Sequence, residues 1–392
     1  MPGNWREDST LTELVVAIVA DDLTGAMDAA APFARRGAQT SVVLALEHLA
    51  EVLAQGNLPD VLAINTESRH LTADQAAKRV AEAFERLLPL APHLLFKKVD
   101  STLRGNVVAE CLAARRSSGR GLLVCPAVPV QGRTLRGGQV YVHDEPLTAS
   151  DSGRDARSAP PVEPLATLFE RGGLAVPSLP AGSVSGEPDA IVDAVSDADL
   201  QALAQRLLEY PRRWLAVGAS GLTEALSRSL FPAAEARLSP PVDALLLVVG
   251  SRCDQARRQV ACLCEAAPDL PVMHAMDDEG LAPGPAQQRL VMPERQPSAR
   301  FTAEQVARGM ARCVSGLLAG EPGRNPLLFL TGGDTAMAVL GHLGARQVVL
   351  AGEWAPGVAL GHLDGDPHRL VMTKAGGFGT PDLLKRLHRD FH

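Results

Sequence analysis

Residues 96–106 read FKKVDSTLRGN: two adjacent lysines, an aspartate, two hydroxyls, an arginine and an asparagine directly behind a short apolar run. Lysine is scarce elsewhere. The chain has five, Lys78, Lys97, Lys98, Lys374 and Lys385, and its other fixed positive charges are arginines. Successive side chains at a strand end point to opposite sides. Lys98 is therefore expected to face a site with Asp100, Ser101 and Arg104, while Lys97 faces away and should tolerate alanine. Cationic groups beside hydroxyl and amide donors suit an anionic, hydroxylated small molecule, and an arginine fork suits a carboxylate. Gly105 allows a close backbone approach there. Two other strand ends add to the cluster. VVAIVADDLTGAMDAAAPFARRGA (15–38) sets Asp21 and Asp22 ahead of a helix, with one of the pair expected to face the ligand. INTESRH (64–70) offers Arg69 as a carboxylate clamp.

The second half carries a different chemistry. LLFLTGGDTAMAVLGHLG (327–344) runs from strand through Gly332, Gly333, Asp334, Thr335 and Ala336 into a helix. Glycines before a helix N-terminus expose backbone N–H groups, and the helix dipole favours negative charge there. VMTKAGGFGTPDLLKRL (371–387) is a second such loop, with Lys374, Gly376 and Gly377, and VVGSRCDQARRQV (248–260) is a third, with Gly250 and Ser251. Three glycine loops behind strands point to a nucleotide site. The Walker A pattern and GxGxxG are both absent, which excludes a P-loop enzyme and an ordinary dinucleotide-binding protein.

These motifs must be positioned by strands and helices. Apolar runs at 14–20, 40–46, 61–65, 93–99, 121–127 and 213–220 alternate with helical patterns such as ADQAAKRVAEAFERLL (73–88). A second series follows at 244–250, 270–275, 326–332, 347–352 and 368–374. The pattern predicts two α/β domains, the first a largely parallel sheet with helices on both faces, with the active site in the cleft between them. FPAAEARLSPPVD (231–243) reads as the linker, giving domains 1–236 and 243–392, while 146–165 and 276–300 read as long surface loops. The formal charge of −7 argues against a nucleic-acid partner. The polar start lacks a signal region, and no run approaches the ~18 apolar residues of a membrane span. Six scattered cysteines without zinc spacing fit a reduced cytoplasm.

In this order, ADDLTGAMD, KKVDSTLRGN, GGDTA and KAGGFG resemble the four-carbon acid sugar kinase family over nearly the whole chain. The resemblance implies an ATP-dependent phosphotransferase acting on an alcohol group of a tetronate such as threonate, erythronate or 3-oxo-tetronate. It places the sugar acid in the N-terminal domain, on Asp21, Asp22, Arg69, Lys98, Asp100, Ser101 and Arg104. It places ATP in the C-terminal domain, on Ser251, the 332–336 turn, Lys374, Gly376 and Gly377. On this reading Lys98 and Arg69 neutralise the substrate carboxylate, while Asp22, Asp100 and Ser101 hold hydroxyls. Asp22 is the expected general base, with Asp334 the alternative, and Mg²⁺ is expected to bridge the β- and γ-phosphates. VQGRTLRGGQVYVHDEPL (130–147) resembles a family loop but carries His143, Asp144 and Glu145 where a glycine is usual. A dehalogenase-type nucleophile is excluded because its two aspartates are separated by one residue, and here they are adjacent. A non-catalytic binder of sugar acids is the rival class, against which Ser251, Asp334 and Lys374 count. The expected assembly is a homodimer, the common state of soluble enzymes.

Overall fold

The first five strands are short, mainly apolar runs, buried almost throughout, the composition of parallel strands covered by helices. In chain order these are β1 (Val16–Ala20), β2 (Thr40–Val43), β3 (Val61–Asn65), β4 (Leu94–Lys98) and β5 (Gly121–Cys125). A small antiparallel sheet follows, of β6 (Arg133–Arg136), β7 (Gln139–Val142) and β8 (Glu145–Pro146), and then β9 (Ser178–Leu179), β10 (Ala190–Val192) and β11 (Trp214–Gly218). The computed structural model describes residues 13–56, 58–150, 161–183, 186–231, 242–277, 286–295, 300–320 and 326–391. It divides into two units, Met1–Glu235 and Ala236–His392. The linker expected at 231–243 falls largely on 232–241, outside the described residues.

In the first unit the parallel strands lie in the order β2-β3-β1-β4-β11-β5-β10-β9. The connections are α1 (Leu23–Arg35), α2 (Leu49–Leu53), α3 (Ala73–Leu87), α4 (Val107–Ser118), α5 (Leu165–Arg171), α6 (Asp197–Glu209) and α7 (Ser220–Leu230). Helix α3 packs on α4, while α1 and α6 both pack on α7. The chain winds one way from β1 and the other way from β4. Ligands bind outside the carboxyl ends of strands at such a reversal. The register brings four strand ends to one level there: Asn65 pairs with Ala20, Ala20 with Lys98, and Lys98 with Gly218.

The second unit contains β12 (Ala244–Val249), α8 (Asp254–Ala266), β13 (Val272–His274), β14 (Gln288–Met292), α9 (Ala303–Gly320), β15 (Pro326–Thr331) and α10 (Gly333–His342). It ends with β16 (Gln347–Ala355), β17 (Val358–Leu363), β18 (Leu370–Lys374) and α11 (Leu383–Asp390). Its strand order is β13-β14-β12-β15-β18-β17-β16, parallel as far as β18, with antiparallel pairing across β18, β17 and β16. The core centres on Leu247, Phe329, Leu360 and Met372, with Leu383, Leu384 and Leu387 of α11 packed in. The stretch 276–300 is not simply a surface loop, because it contributes β14, whose Gln288, Arg289, Leu290 and Val291 are buried. The flanking prolines and the two polar residues hid a strand that tertiary packing makes internal.

Candidate active site

Helix α1 begins directly at the end of β1 because Asp22 caps it. The Asp22 carboxylate accepts from Gly25 N at 2.9 Å and Thr24 Oγ1 at 2.7 Å. Arg69, from the loop after β3, donates to the same carboxylate through Nη1 at 2.6 Å and Nη2 at 2.9 Å. Its Nε and Nη2 reach Asp21 at 2.7 and 2.9 Å. Both aspartates therefore turn to one guanidinium, where alternation predicted that they would part. The carboxylate that Arg69 clamps is the protein's own. Gly105, at φ +85°, makes room for this: a Cβ there would stand 3.0 Å from Asp21 Oδ2 and 3.5 Å from Arg69 Cγ.

Asp100 closes on its own loop in the same way. It accepts from Thr102 N at 3.0 Å, and from Arg104 Nε at 3.1 Å and Nη2 at 2.8 Å. Burial works against ionising Asp100, but Arg104 and Arg69 outweigh it and hold the carboxyl well below the usual carboxylate range. For Asp21, burial is again outweighed, by Arg69 with Lys97 and Lys98, and its carboxyl also lies low. Asp21, Asp22, Arg69, Asp100 and Arg104 thus form a self-satisfied ionic floor. The structure thus brings these five expected site residues together at one set of strand ends.

Above that floor, three groups retain capacity for a ligand. Lys98 is 4% exposed, and its ammonium makes no hydrogen bond or ion pair with any described residue. It lies against α1: a Cβ on Gly25 would be 3.2 Å from Lys98 Nζ. The buried Ser101 hydroxyl accepts from Arg133 Nη1 at 2.7 Å, leaving its own proton to donate. Asp28, on α1, is half-buried, and burial raises its carboxyl against the pull of Lys98, Ser220 and Arg133. Asp28, Arg133 and Ser220 are missing from the expectation drawn from sequence. The helical period would have found Asp28, which lies three residues beyond Gly25 on the same face.

Lys97 does face away, towards α4, but not into a tolerant place. It is fully buried, pairs with Glu110 at 2.8 Å and donates to Lys98 O at 2.7 Å. Glu110 in turn accepts from Ser68 Oγ at 2.7 Å, next to Arg69 in the chain. The expectation that Lys97→Ala would be mild is overturned by this buried pair.

In the second unit the ends of β12, β15 and β18 are level, with Val249 paired to Thr331 and Thr331 to Lys374. Their glycine loops meet. A Cβ on Gly376 would fall 2.1 Å from Ser251 Oγ, and one on Gly250 would fall 1.9 Å from Thr335 Oγ1. Gly332, at φ +102°, caps α10, so the N–H groups of Gly333, Asp334 and Thr335 open the helix, with Ala336 buried behind them. Gly377 has open space around its Cα, so crowding constrains Gly376 and leaves Gly377 free. Lys374 is 1% exposed and spends its three protons on Ala375 O at 2.9 Å, Gly376 O at 3.0 Å and Phe378 O at 3.1 Å. It thereby braces the loop that carries Gly376 and Gly377. Gln259 of α8 assists, donating to Phe378 O at 2.9 Å and Thr380 O at 3.0 Å.

The first unit thus gathers a buried ammonium and a hydroxyl at its strand ends, and the second gathers three glycine loops, the chemistry expected of a small-molecule phosphotransferase. Residues 16–226 match the family described as a sugar-binding N-terminal domain, and residues 246–384 the family described as a nucleotide-binding C-terminal domain. The chain is 36% identical to a D-threonate kinase of Bordetella bronchiseptica, covering 95% of this chain and 96% of that one. It is 31% identical to a 3-oxo-tetronate kinase of Methylobacterium radiotolerans, over 95% of this chain and 98% of that one. A crystal structure of a Bordetella bronchiseptica protein with bound citrate, a domain-swapped dimer, is 32% identical and aligns with a TM-score of 0.51, covering 97% and 98%. The chain belongs to the four-carbon acid sugar kinase family. Among the described residues no helix is long and apolar enough to cross a membrane, and all six cysteines are free.

Proposed function

We propose that the protein transfers the γ-phosphoryl group of ATP to a hydroxyl of a tetronate such as D-threonate or D-erythronate, giving the 4-phosphate. The observation that carries this reading is Lys98, a buried ammonium with no hydrogen-bond or ion-pair partner among the described residues. A buried ammonium without a hydrogen-bonded anion favours a ligand that supplies one, and a carboxylate does so. Ser101 and Arg133 then meet hydroxyl groups, and the ionic floor fixes their positions. ATP is assigned to the Ser251, Gly332–Ala336 and Gly376–Gly377 loops, whose backbone N–H groups suit phosphate oxygens. No group of three or more His, Cys, Asp or Glu side chains converges on a cation position among the described residues. Mg²⁺ is therefore proposed to arrive bound to the phosphates, with no step assigned to it.

The test is an ADP-release screen over D- and L-threonate, D- and L-erythronate and 3-oxo-tetronates, with phosphorus NMR locating the phosphate on the product. Turnover of a 3-oxo-tetronate alone would move the chain to that branch, which the Methylobacterium relative makes the second reading. Binding without ADP release would make it a sugar-acid sensor. A homodimer is proposed from the Bordetella structure, and light scattering on the purified chain tests it.

A further inference from the structure

Lys97 and Asn106 flank Lys98 and Ser101 in the chain but are assigned no ligand, and both belong to one polar network behind the strand ends. Glu110 of α4 is its centre. One of its carboxylate oxygens faces the Lys97 ammonium at 2.8 Å, and the other accepts from Ser68 Oγ at 2.7 Å. Lys97 also donates to Lys98 O at 2.7 Å and lies 3.4 Å from Val19 O. Ser68 Oγ is 2.7 Å from Thr66 Oγ1, which donates to Ala20 O at 2.9 Å. Asn106, at the head of α4, donates to Ser68 O at 3.3 Å and to Leu71 O at 2.9 Å. Asp21 O accepts from the backbone N–H groups of Ser68 and Arg69, at 3.0 and 3.2 Å.

The network thus reaches every strand end that carries the sugar-acid site. It touches β1 through Val19 and Ala20, β4 through Lys98, and the loop after β3 through Ser68. Carbonyl oxygens at the end of a strand run past the ladder and need donors from elsewhere. A buried ion pair seldom stabilises a fold more than apolar side chains of the same volume would. Apolar side chains, however, could neither donate to Lys98 O nor hold the Ser68 hydroxyl. We propose that Glu110 is a positioning residue of the sugar-acid site, an assignment that rests on the tetronate reading. Through Lys97 it fixes the backbone from which Lys98 projects, and through Ser68 it fixes the loop that carries Arg69. Glu110 is itself buried and acts only through these partners.

Such a role separates two quantities that instability does not. A merely destabilised enzyme loses active molecules, so kcat falls and both substrates are affected alike. Displacing Lys98 and Arg69 weakens the tetronate alone, because the glycine loops assigned to ATP belong to the other unit. A misplacement of about 1 Å can cost on the order of 100-fold.

The experiment measures Tm, KM for the best tetronate and for ATP, and the tetronate Kd by calorimetry. It compares wild type with Lys97→Met/Glu110→Gln and with Ser68→Ala. The double variant fills the same volume without a buried charge. Its Tm should lie close to wild type, its KM and Kd for the tetronate should rise by about 10- to 100-fold, and its KM for ATP should hold. Ser68→Ala cuts the Arg69 arm, leaves the ion pair, and should show the same split in smaller measure. Wild-type affinity for the tetronate in either variant overturns the assignment, as does an equal loss for both substrates. Ser68→Ala decides alone if the double variant does not fold. A wild type that binds tetronates without releasing ADP refutes the kinase reading, and calorimetry then still decides for or against Glu110. One that binds no tetronate refutes both.

Discussion

Replacing Lys97 by methionine tests how the buried ionic layer holds the site. The ammonium is fully buried and 2.8 Å from Glu110, whose side chain is 2% exposed. Methionine fills a similar volume but leaves Glu110 with only the Ser68 hydroxyl. Burial already pushes the Glu110 carboxyl above its usual range even with Lys97 pulling it down. Without Lys97 the cheapest response is to take up a proton. The unfolded carboxyl titrates near ~4.3, so at about pH 7 the uptake costs about 3.7 kcal/mol, and at about pH 5 only about 1 kcal/mol. The sign follows from a folded pKa raised above the unfolded one: the loss is absent in acid and grows as pH rises. Urea unfolding of wild type and Lys97→Met at the two pH values gives both numbers. Lys97→Met/Glu110→Gln keeps the acceptor for Ser68 and should regain most of the loss at the higher pH. A loss independent of pH, or a double variant no better than the single, would refute the reasoning.

Lys98→Ala breaks no hydrogen bond or ion pair with a described residue, so it should change Tm little while costing about 2–5 kcal/mol in kcat/KM for the tetronate; a large drop in Tm would argue for a tight internal partner. Gly376→Ala drives a methyl group into Ser251 Oγ and should raise the KM for ATP, with Ser251→Gly restoring part of it, whereas Gly377→Ala should fold normally. Burial lowers the Lys374 ammonium to about 8, and only the protonated form can serve all three loop carbonyls. The KM for ATP should therefore climb as pH rises through that value, and a flat profile would count against the bracing role.

Much of the site was legible in the chain because strand ends announce themselves. FKKVDSTLRGN, ADDLTG and the three glycine loops all lie where parallel strands give way to loops, at matching register. What the sequence could not reveal was which polar groups satisfy one another. Arg69 reads as a free clamp until Asp21 and Asp22 are seen on its fork, and the three carbonyls on Lys374 are equally invisible in the chain. β14 was lost for a different reason, since its short polar-apolar run gains strand character only from its neighbours β12 and β13.

The lysine inventory also has a practical side. Lys97, Lys98 and Lys374 are sealed in, at 0%, 4% and 1% exposure, whereas Lys78 on α3 and Lys385 on α11 are exposed. Among side chains, an amine-directed reagent therefore finds one target in each unit, and neither belongs to the ligand machinery. Dyes or crosslinkers can be installed on the unaltered chain, and tetronate protection of a slower third amine, located by peptide mapping, would report on Lys98.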